Sequence, residues 1–461
     1  MAIKHYIPVA DADMSPIAEA SRTPFHPSGN DEAGSNGRMS FFTLLIWFNI
    51  FCFLGIFTTN GGGLQTLAVV LRFLLWPLIL FGATLHIMVK GANSVGRNML
   101  PVMPFFAVGL VSAMFGYDMF SSLRMLTFWF LGIVSASVIG VEVPVAKVQK
   151  TLFAIMFVLM GASIFLVLMV PGMAVGLDTR GPLGGGSWNG IFPSKNGLGW
   201  VAGYALVICA FVPRTSVIVR LVMAAATLIC LVFSGSQGSV VIVMATAAFV
   251  AIVWFLRRTS LSVGARASVL MAIVMITIPV SMIGSSLALE LLGRDATMTG
   301  RTDIWQAFLG RALNYWLIGA GPGSFTTGSS VTVDLSVALV KFGSIITPHN
   351  MFIAVFGETG IFGLIAYVSV LFYVAFVLPF RNERPIALAT SAIAFMTAIG
   401  GIGETREVFG SAFAMFLLIL MLSLTRKSAD QDAPAHIPPP QAGRPPVNLV
   451  PEPRNRIPAL G

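Results

Sequence analysis

Residues 348–378 read PHNMFIAVFGETGIFGLIAYVSVLFYVAFVL. From Met351 to Leu378 the run is apolar except for one acid, Glu358, and a few small or hydroxyl residues. A membrane helix needs about 20 mostly apolar residues, and this run exceeds that. It begins at His349 and Asn350 and is interrupted by Gly-Glu-Thr-Gly at 357–360. An acid within or at the start of a membrane span is costly, so Glu358 is a functional candidate. It reads equally as the partner of a nearby arginine or the cap of a broken helix. Gly357 and Gly360 permit a break or a close helix contact.

The rest of the chain repeats this pattern. Hydrophobic residues make up 56% of the 461 positions and charged residues 10%, whereas a soluble domain carries about a quarter charged residues. The composition specifies an all-α polytopic membrane protein. Apolar spans are expected near 41–57, 67–89, 100–117, 123–141, 151–173, 197–213, 216–234, 238–256, 268–289, 351–378, 386–403 and 408–425, about 12 transmembrane helices. Residues 1–40 are polar and read as a disordered cytoplasmic segment. Residues 41–425 form the membrane domain, and residues 426–461 a Pro-rich cytoplasmic tail. Cys52, Cys209 and Cys230 all fall in apolar runs and read as small buried hydrophobes, not as disulfides or metal ligands.

The net charge of +9 follows the positive-inside rule better than nucleic-acid binding. With the N-terminus inside, the inner loops carry Lys90 and Arg97, Lys147 and Lys150, Arg214 and Arg220, Arg257, Arg258 and Arg266, Arg381 and Arg384, and Arg426 and Lys427. Two outer loops, TTNGGGLQ and FSGSQGS, carry none. The alternation needs an even number of helices and places both termini in the cytoplasm.

Two outer loops are long, about 174–196 and 290–350, and loops of that length are usually functional. In the second, Trp305, Phe308, Leu309, Ala312 and Trp316 recur at helical spacing. They predict an amphipathic helix at the membrane surface, with Thr302 as its N-cap. Arg301 immediately precedes that helix. Free N–H groups at a helix start favour anions, and the planar guanidinium matches phosphate oxygens. Arg301 is thus a phosphate-binding candidate or a snorkelling interfacial arginine. Arg180, in the other long loop, is placed to converge with it, and Lys195 is a weaker candidate. His349 is either an interfacial histidine bonded to a loop carbonyl or a base facing an outer cavity. No His/Cys/Asp cluster has metal-ligand spacing.

Four stretches occur in one order on the expected outer side: WNGIFPSKNGLGW (188–200), TGRTDIW (299–305), LIGAGPGSF (317–325) and PHNMFIAVFGETGIFGLI (348–365). Together they resemble the signature of the bacterial O-antigen ligase and polysaccharide polymerase superfamily. The resemblance covers roughly residues 174–365. It implies a GT-C-like glycosyltransferase of the inner membrane with a large periplasmic loop, acting on an undecaprenyl-pyrophosphate-linked glycan without metal, nucleotide sugar or other cofactor. Its partners would be that glycan, membrane lipid and other polysaccharide export or chain-length proteins, with no nucleic acid. Carried over by motif, Arg301 and Arg180 would hold the pyrophosphate. The same carry-over places His349 near the acceptor. Beside it, the Gly-Glu-Thr-Gly break makes Glu358 a second catalytic candidate, and Lys195, Asn196 and Asn350 are candidate substrate contacts. One departure stands out: the family's Ser-Arg-Gly is here SGSQGS, with Gln237 in place of the arginine. The expected reaction is polymerisation of repeat units. The alternative is ligation of finished glycan to a lipid A core or other acceptor, with transport a third, less favoured reading.

Overall fold

The computed structural model describes residues 41–54, 77–89, 92–176, 185–211, 215–291, 301–327, 329, 331–339, 347–404, 409 and 413–431. Among these residues the protein is helical. No strand is present, only an isolated antiparallel bridge between Val175 and Trp188. In chain order the main helices are α1 (Phe41–Leu54), α2 (Pro77–Val89), α3 (Asn93–Met99), α4 (Met103–Phe115), α5 (Met119–Glu142), α6 (Val145–Met169), α7 (Lys195–Phe211), α8 (Val217–Phe233) and α9 (Gln237–Arg257). They continue with α10 (Val263–Leu291), α11 (Arg301–Leu313), α12 (Met351–Phe372), α13 (Pro385–Gly403) and α14 (Phe413–Gln431).

Among the described residues, six helical segments are long and apolar enough to cross a membrane: Val95–Phe115, α5, α6, α9, Met351–Arg381 and α13. Five shorter apolar helices, 10–17 residues each, lie among them. Each span expected from the sequence falls on a helix where its residues are described, with ends shifted by a few positions. The segment beginning at Met351 is not one straight helix. Gly360 breaks it with φ +67°, and a π-helical turn at Tyr373–Val377 precedes its last turn.

Many large apolar side chains point outward, including Phe81, Met88, Phe165, Ile218 and Met244. Such a surface suits lipid, where backbone polar groups must be satisfied within the helices. Between helices, packing alone gives little drive in an apolar solvent, so small polar contacts matter. Asn49 of α1 donates to Ser135 of α5 at 2.8 Å. Tyr204 of α7 and Thr397 of α13 share a hydrogen bond of 2.9 Å, and Thr390 and Thr425 join α13 to α14 at 2.9 Å. An aromatic knot fills the centre. Phe105 stacks on Phe409 with centroids 5.2 Å apart and meets Trp129 edge-on at 5.5 Å. Cys209 and Cys230 are buried and unbridged.

The described basic residues of the expected inner loops gather at one end of the bundle, where several of them hold backbone carbonyls. Arg257 donates to the carbonyls of Pro379 (2.9 Å), Asn382 (3.0 Å) and Glu383 (2.8 Å). Lys427 donates to Val141 (2.6 Å) and Val143 (3.0 Å), and Arg384 reaches Ser428 at 2.9 Å. Helix C-termini leave carbonyls unpaired, and these cations satisfy some of them. Their role is therefore partly structural, beyond orienting the chain. The candidate site residues lie at the opposite end.

The helix expected after residue 300 exists, with two differences. It starts at Arg301, so Thr302 is its second residue and not its N-cap. Phe308 and Ala312 of the expected stripe are buried, joined by Ile304. Leu309 and Trp316 are 41% and 55% exposed. The reason is its partner: α11 packs against the start of α12 and the loop between them. Phe308 meets Phe325 edge-on at 6.3 Å, in a small core with Ala320, Val331, Leu339 and Ala354.

Candidate functional site

Four helices begin close together at the end away from the basic cluster. Helix α7 starts at Lys195, and the Ser194 hydroxyl accepts from Gly197 N at 3.1 Å, capping it. Helix α9 starts just after Ser236, helix α11 at Arg301, and helix α12 just after Asn350. Gly199 lets α7 and α9 meet so closely: a Cβ there would lie 2.5 Å from Ser239 Oγ.

One carboxylate joins three of these starts directly and the fourth, α9, through Asn196. Glu404 follows the last residue of α13. Its Oε1 accepts from Asn196 Nδ2 at 2.8 Å and from Arg301 Nη2 at 3.2 Å. Its Oε2 stands 3.5 Å from His349 Nδ1, within ion-pair range when the ring is protonated. Arg301 Nη1 also donates to Gly403 O at 2.5 Å. Asn196 Oδ1 accepts from Ser236 Oγ at 3.0 Å, and Ser236 shares a hydrogen bond of 2.8 Å with Ser239. The cluster is half open: Arg301 is 32% exposed and His349 35%, while Glu404 is 18%.

His349 is the only described non-glycine residue with positive φ, at +47°. Backbone strain of this kind persists where surroundings impose it, and it concentrates at functional sites. Its neighbour explains it. Asn350 Oδ1 accepts from Phe352 N (2.9 Å) and Ile353 N (3.1 Å), capping α12, and its Nδ2 donates to Ile402 O at 3.2 Å. Asn350, expected to contact substrate, is 8% exposed and pinned at both ends of its amide. The His-Asn pair therefore divides its labour: Asn350 fixes the helix start, and the chain must turn sharply at His349 to enter it.

Glu358 lies elsewhere. It is fully buried, two helical turns from Asn350, or about 12 Å along the axis. Its Oε1 accepts from Phe325 N at 3.2 Å and from Thr326 Oγ1 at 2.7 Å. Its carbonyl accepts from Ser112 Oγ at 2.5 Å and from Gly321 N at 3.0 Å. On either side, Ala320 N donates to Gly357 O (2.8 Å) and Ile361 N to Trp316 O (2.8 Å). The glycine-rich loop and the Gly-Glu-Thr-Gly break are thus two faces of one backbone seam. Both sides require glycine. Gly319 has φ +88°, and a Cβ would fall 2.4 Å from Glu358 backbone; at Gly360, with φ +67°, it would fall 2.3 Å from Leu317 O.

Of the expected site residues, the structure brings together Arg301, His349 and Asn196, with Asn350 one residue away and Lys195 opening the same helix as Asn196. Glu358 is not in this group. Arg180 lies outside the described residues. Gln237 is exposed at the start of α9, and the neighbouring Ser236 supplies the contact to Asn196. Sequence reasoning missed Glu404. The signal was there: Gly-Glu-Thr occurs twice, at 357–359 and 403–405, the second time where an apolar span ends.

The arrangement suits an anion. Helix starts carry a partial positive charge, although α7 and α12 already give N–H groups to Ser194 and Asn350. Arg301 and Lys195 open two of these helices, beside the carboxylates of Glu404 and the first-turn Asp303. An arriving phosphate can share or replace Glu404 on Arg301, which offers a fork suited to either.

Residues 222–368, about a third of the chain, match the family model described as O-antigen ligase. The match includes Arg301, the glycine-rich loop, His349 and Glu358, and stops short of Asn196 and Glu404. No curated protein matches the chain. The matched stretch is similar to a family whose members are glycosyltransferase-like enzymes, and among the described residues six helices are long and apolar enough to cross a membrane.

Proposed function

We propose that this chain, whose residues 222–368 match the family model described as O-antigen ligase, is a polymerase. It joins undecaprenyl-pyrophosphate-linked oligosaccharide repeats into an exopolysaccharide or surface polysaccharide at the periplasmic face of the inner membrane. Both termini are cytoplasmic in this reading. The observation that carries it is the meeting of Arg301, His349 and Asn196 on Glu404, among four helix starts. Support for the orientation comes from the basic cluster at the far end.

In this mechanism the donor pyrophosphate binds Arg301 and the helix N-termini. An acceptor hydroxyl attacks the anomeric carbon, and its proton passes to His349. The bond from that carbon to the pyrophosphate oxygen breaks, and the electron pair leaves with the lipid pyrophosphate. Protein cations aimed at that developing charge take the part a metal plays elsewhere; losing one such contact costs roughly 10²–10³ in rate. General-base help from His349 contributes roughly 10²–10⁴. Glu404 orients the imidazole through Nδ1, leaving Nε2 for the hydroxyl.

Purified protein in detergent, given lipid-linked oligosaccharide with a chelator and no nucleotide, is expected to extend it. Wild-type turnover in both Arg301→Ala and His349→Ala would remove the site assignment. The matched family's description as ligase favours a second reading, transfer of finished glycan to a lipid A core or another acceptor. The WNGIFPSKNG stretch favours polymerisation. A deletion strain separates them: loss of long polymer with single repeats retained supports polymerase, and full-length polymer accumulating on the carrier lipid supports ligase.

A further inference from the structure

A second cleft opens at the same end of the bundle, between the turn from α4 to α5 and the glycine-rich loop. It encloses about 140 Å³, less than a typical pocket for a whole drug-sized ligand and enough for one sugar ring. Tyr117, Asp118, Ser121, Arg124, Thr327 and Ser329 are among its lining residues. The walls are fixed. Tyr117 N donates to Ala320 O at 2.9 Å, and the loop opposite is held by the buried Glu358 seam.

The polar groups are arranged to leave capacity inside the cleft. Thr327 donates to Gly323 O (2.7 Å) and Ser329 to Ser324 O (2.5 Å), so each hydroxyl keeps lone pairs for a ligand. Asp118 caps α5, accepting from Ser121 N at 3.0 Å, with the Ser121 hydroxyl and Phe120 N also acting on its carboxylate; the roughly four lone-pair sites of a carboxylate leave room for a further donor. Arg124 is exposed and makes no hydrogen bond among the described residues; Asp118 acts on it through charge. Arg124 stands in the second turn of α5, at the end of the bundle opposite the inner-loop basic cluster, so the carbonyl-holding role of that cluster does not account for it. Tyr117, 60% exposed, adds an aromatic face and a phenolic hydroxyl.

A guanidinium, a carboxylate, two acceptor hydroxyls and a ring face form the set that recognises the vicinal hydroxyls of a pyranose. We infer that this cleft is a sugar-binding subsite, separate from the Glu404 cluster, that holds one pyranose unit of the glycan with Arg124 and Asp118 as its reading pair. Naming the glycan as the source of that sugar rests on the function proposed above. A phospholipid phosphate is the rival occupant, since Phe115 and Phe120 beside the cleft are 75% and 80% exposed. The carboxylate of Asp118 repels a phosphate and accepts from sugar hydroxyls, which favours the sugar.

The test is saturation-transfer NMR on the full chain in neutral detergent, with free glucose, galactose, glucuronate and galacturonate as probes. Arg124→Met and Asp118→Asn both leave the fold's contacts in place, because Arg124 is exposed and asparagine caps a helix as aspartate does. At least one sugar is expected to show transfer that falls fivefold or more in both variants and is unchanged in Arg301→Ala. Preference for a uronate would assign Arg124 to its carboxylate. Equal transfer in wild type and Arg124→Met, or none from any of the four sugars, overturns the inference. So does transfer abolished by added phosphatidylglycerol and not by soluble oligosaccharide. The readout needs no turnover, so a failure of the polymerase reading leaves it unaffected.

Discussion

His349 Nδ1 lies 3.5 Å from Glu404 Oε2, although 55 positions of sequence and the whole of α12 and α13 separate the two residues. The same carboxylate restrains Arg301 at 3.2 Å. Glu404→Gln keeps an oxygen for Asn196 and Arg301 and loses the charge that faces the imidazole. Steady-state kinetics on lipid-linked oligosaccharide are expected to show kcat down about 10–10²-fold with KM unchanged or lower, because Arg301 is freer for pyrophosphate. Glu404→Asp is expected to recover part of kcat. A rise in KM with kcat intact in Glu404→Gln would mean that Glu404 only shapes the binding site.

Glu358 offers a clean comparison between holding and reacting. Its Oε1 accepts two hydrogen bonds, and glutamine supplies the same oxygen. Glu358→Gln is therefore expected to keep most of the activity. Glu358→Ala strands the Phe325 amide and the Thr326 hydroxyl in a buried place, costing about 1–3 kcal/mol each and loosening the loop at 319–327. Thermal midpoints in detergent read the stability, and turnover reads the rest. An inactive, fully stable Glu358→Gln protein would return Glu358 to the catalytic residues.

Gly360→Ala and Gly319→Ala both place a methyl against backbone at positive φ. Each is expected to destabilise by at least about 1–3 kcal/mol, and both together by less than the sum, since they sit on one seam. Gly310→Ala, in open space on α11, serves as the control and is expected to be neutral or slightly stabilising. A fold as stable as wild type in either seam variant contradicts the backbone pairing.

Asp118 sets a pH dependence. Hydrogen bonds from Ser121, with a smaller contribution from the charge of Arg124, hold its carboxyl below the usual value near 3.8. A depressed carboxylate stabilises above the unfolded pKa and loses that contribution as pH falls through the folded one. Amide exchange over 119–124, corrected for intrinsic rates, is expected to keep its protection down to about pH 4 and to lose it below. In Asp118→Asn the protection is expected to be flat across that window. Identical pH profiles would show that the cap does not depend on ionisation.

Helices are legible in this sequence because one property, apolar length, specifies them locally. Met351–Arg381 and Val145–Met169 needed no tertiary information. The face of α11 did not follow from spacing alone: Ile304 wins over Trp305 because Phe325 and Ala354 occupy the side it faces. Arg301 and His349 were found because motif and charge coincide there. Glu404 was not, because its meaning comes from contacts with residues 55 to more than 200 positions away. Glu358 had the strongest local signal of any acid, a charge inside an apolar run, and that signal reports burial without saying what the buried group serves.

The seam between 316–321 and 357–361 is made of backbone hydrogen bonds, fastened by one buried carboxylate and the hydroxyls of Ser112 and Thr326. None of these bonds involves the side chain of Thr327, Ser329 or Tyr117. Residues such as Thr327, Ser329 and Tyr117 can therefore be exchanged without disturbing register at the helix break. A scaffold of this kind separates the loop rim from the backbone beneath it, and it marks that rim as the place where substitutions change what the cleft holds while the helix break stays intact.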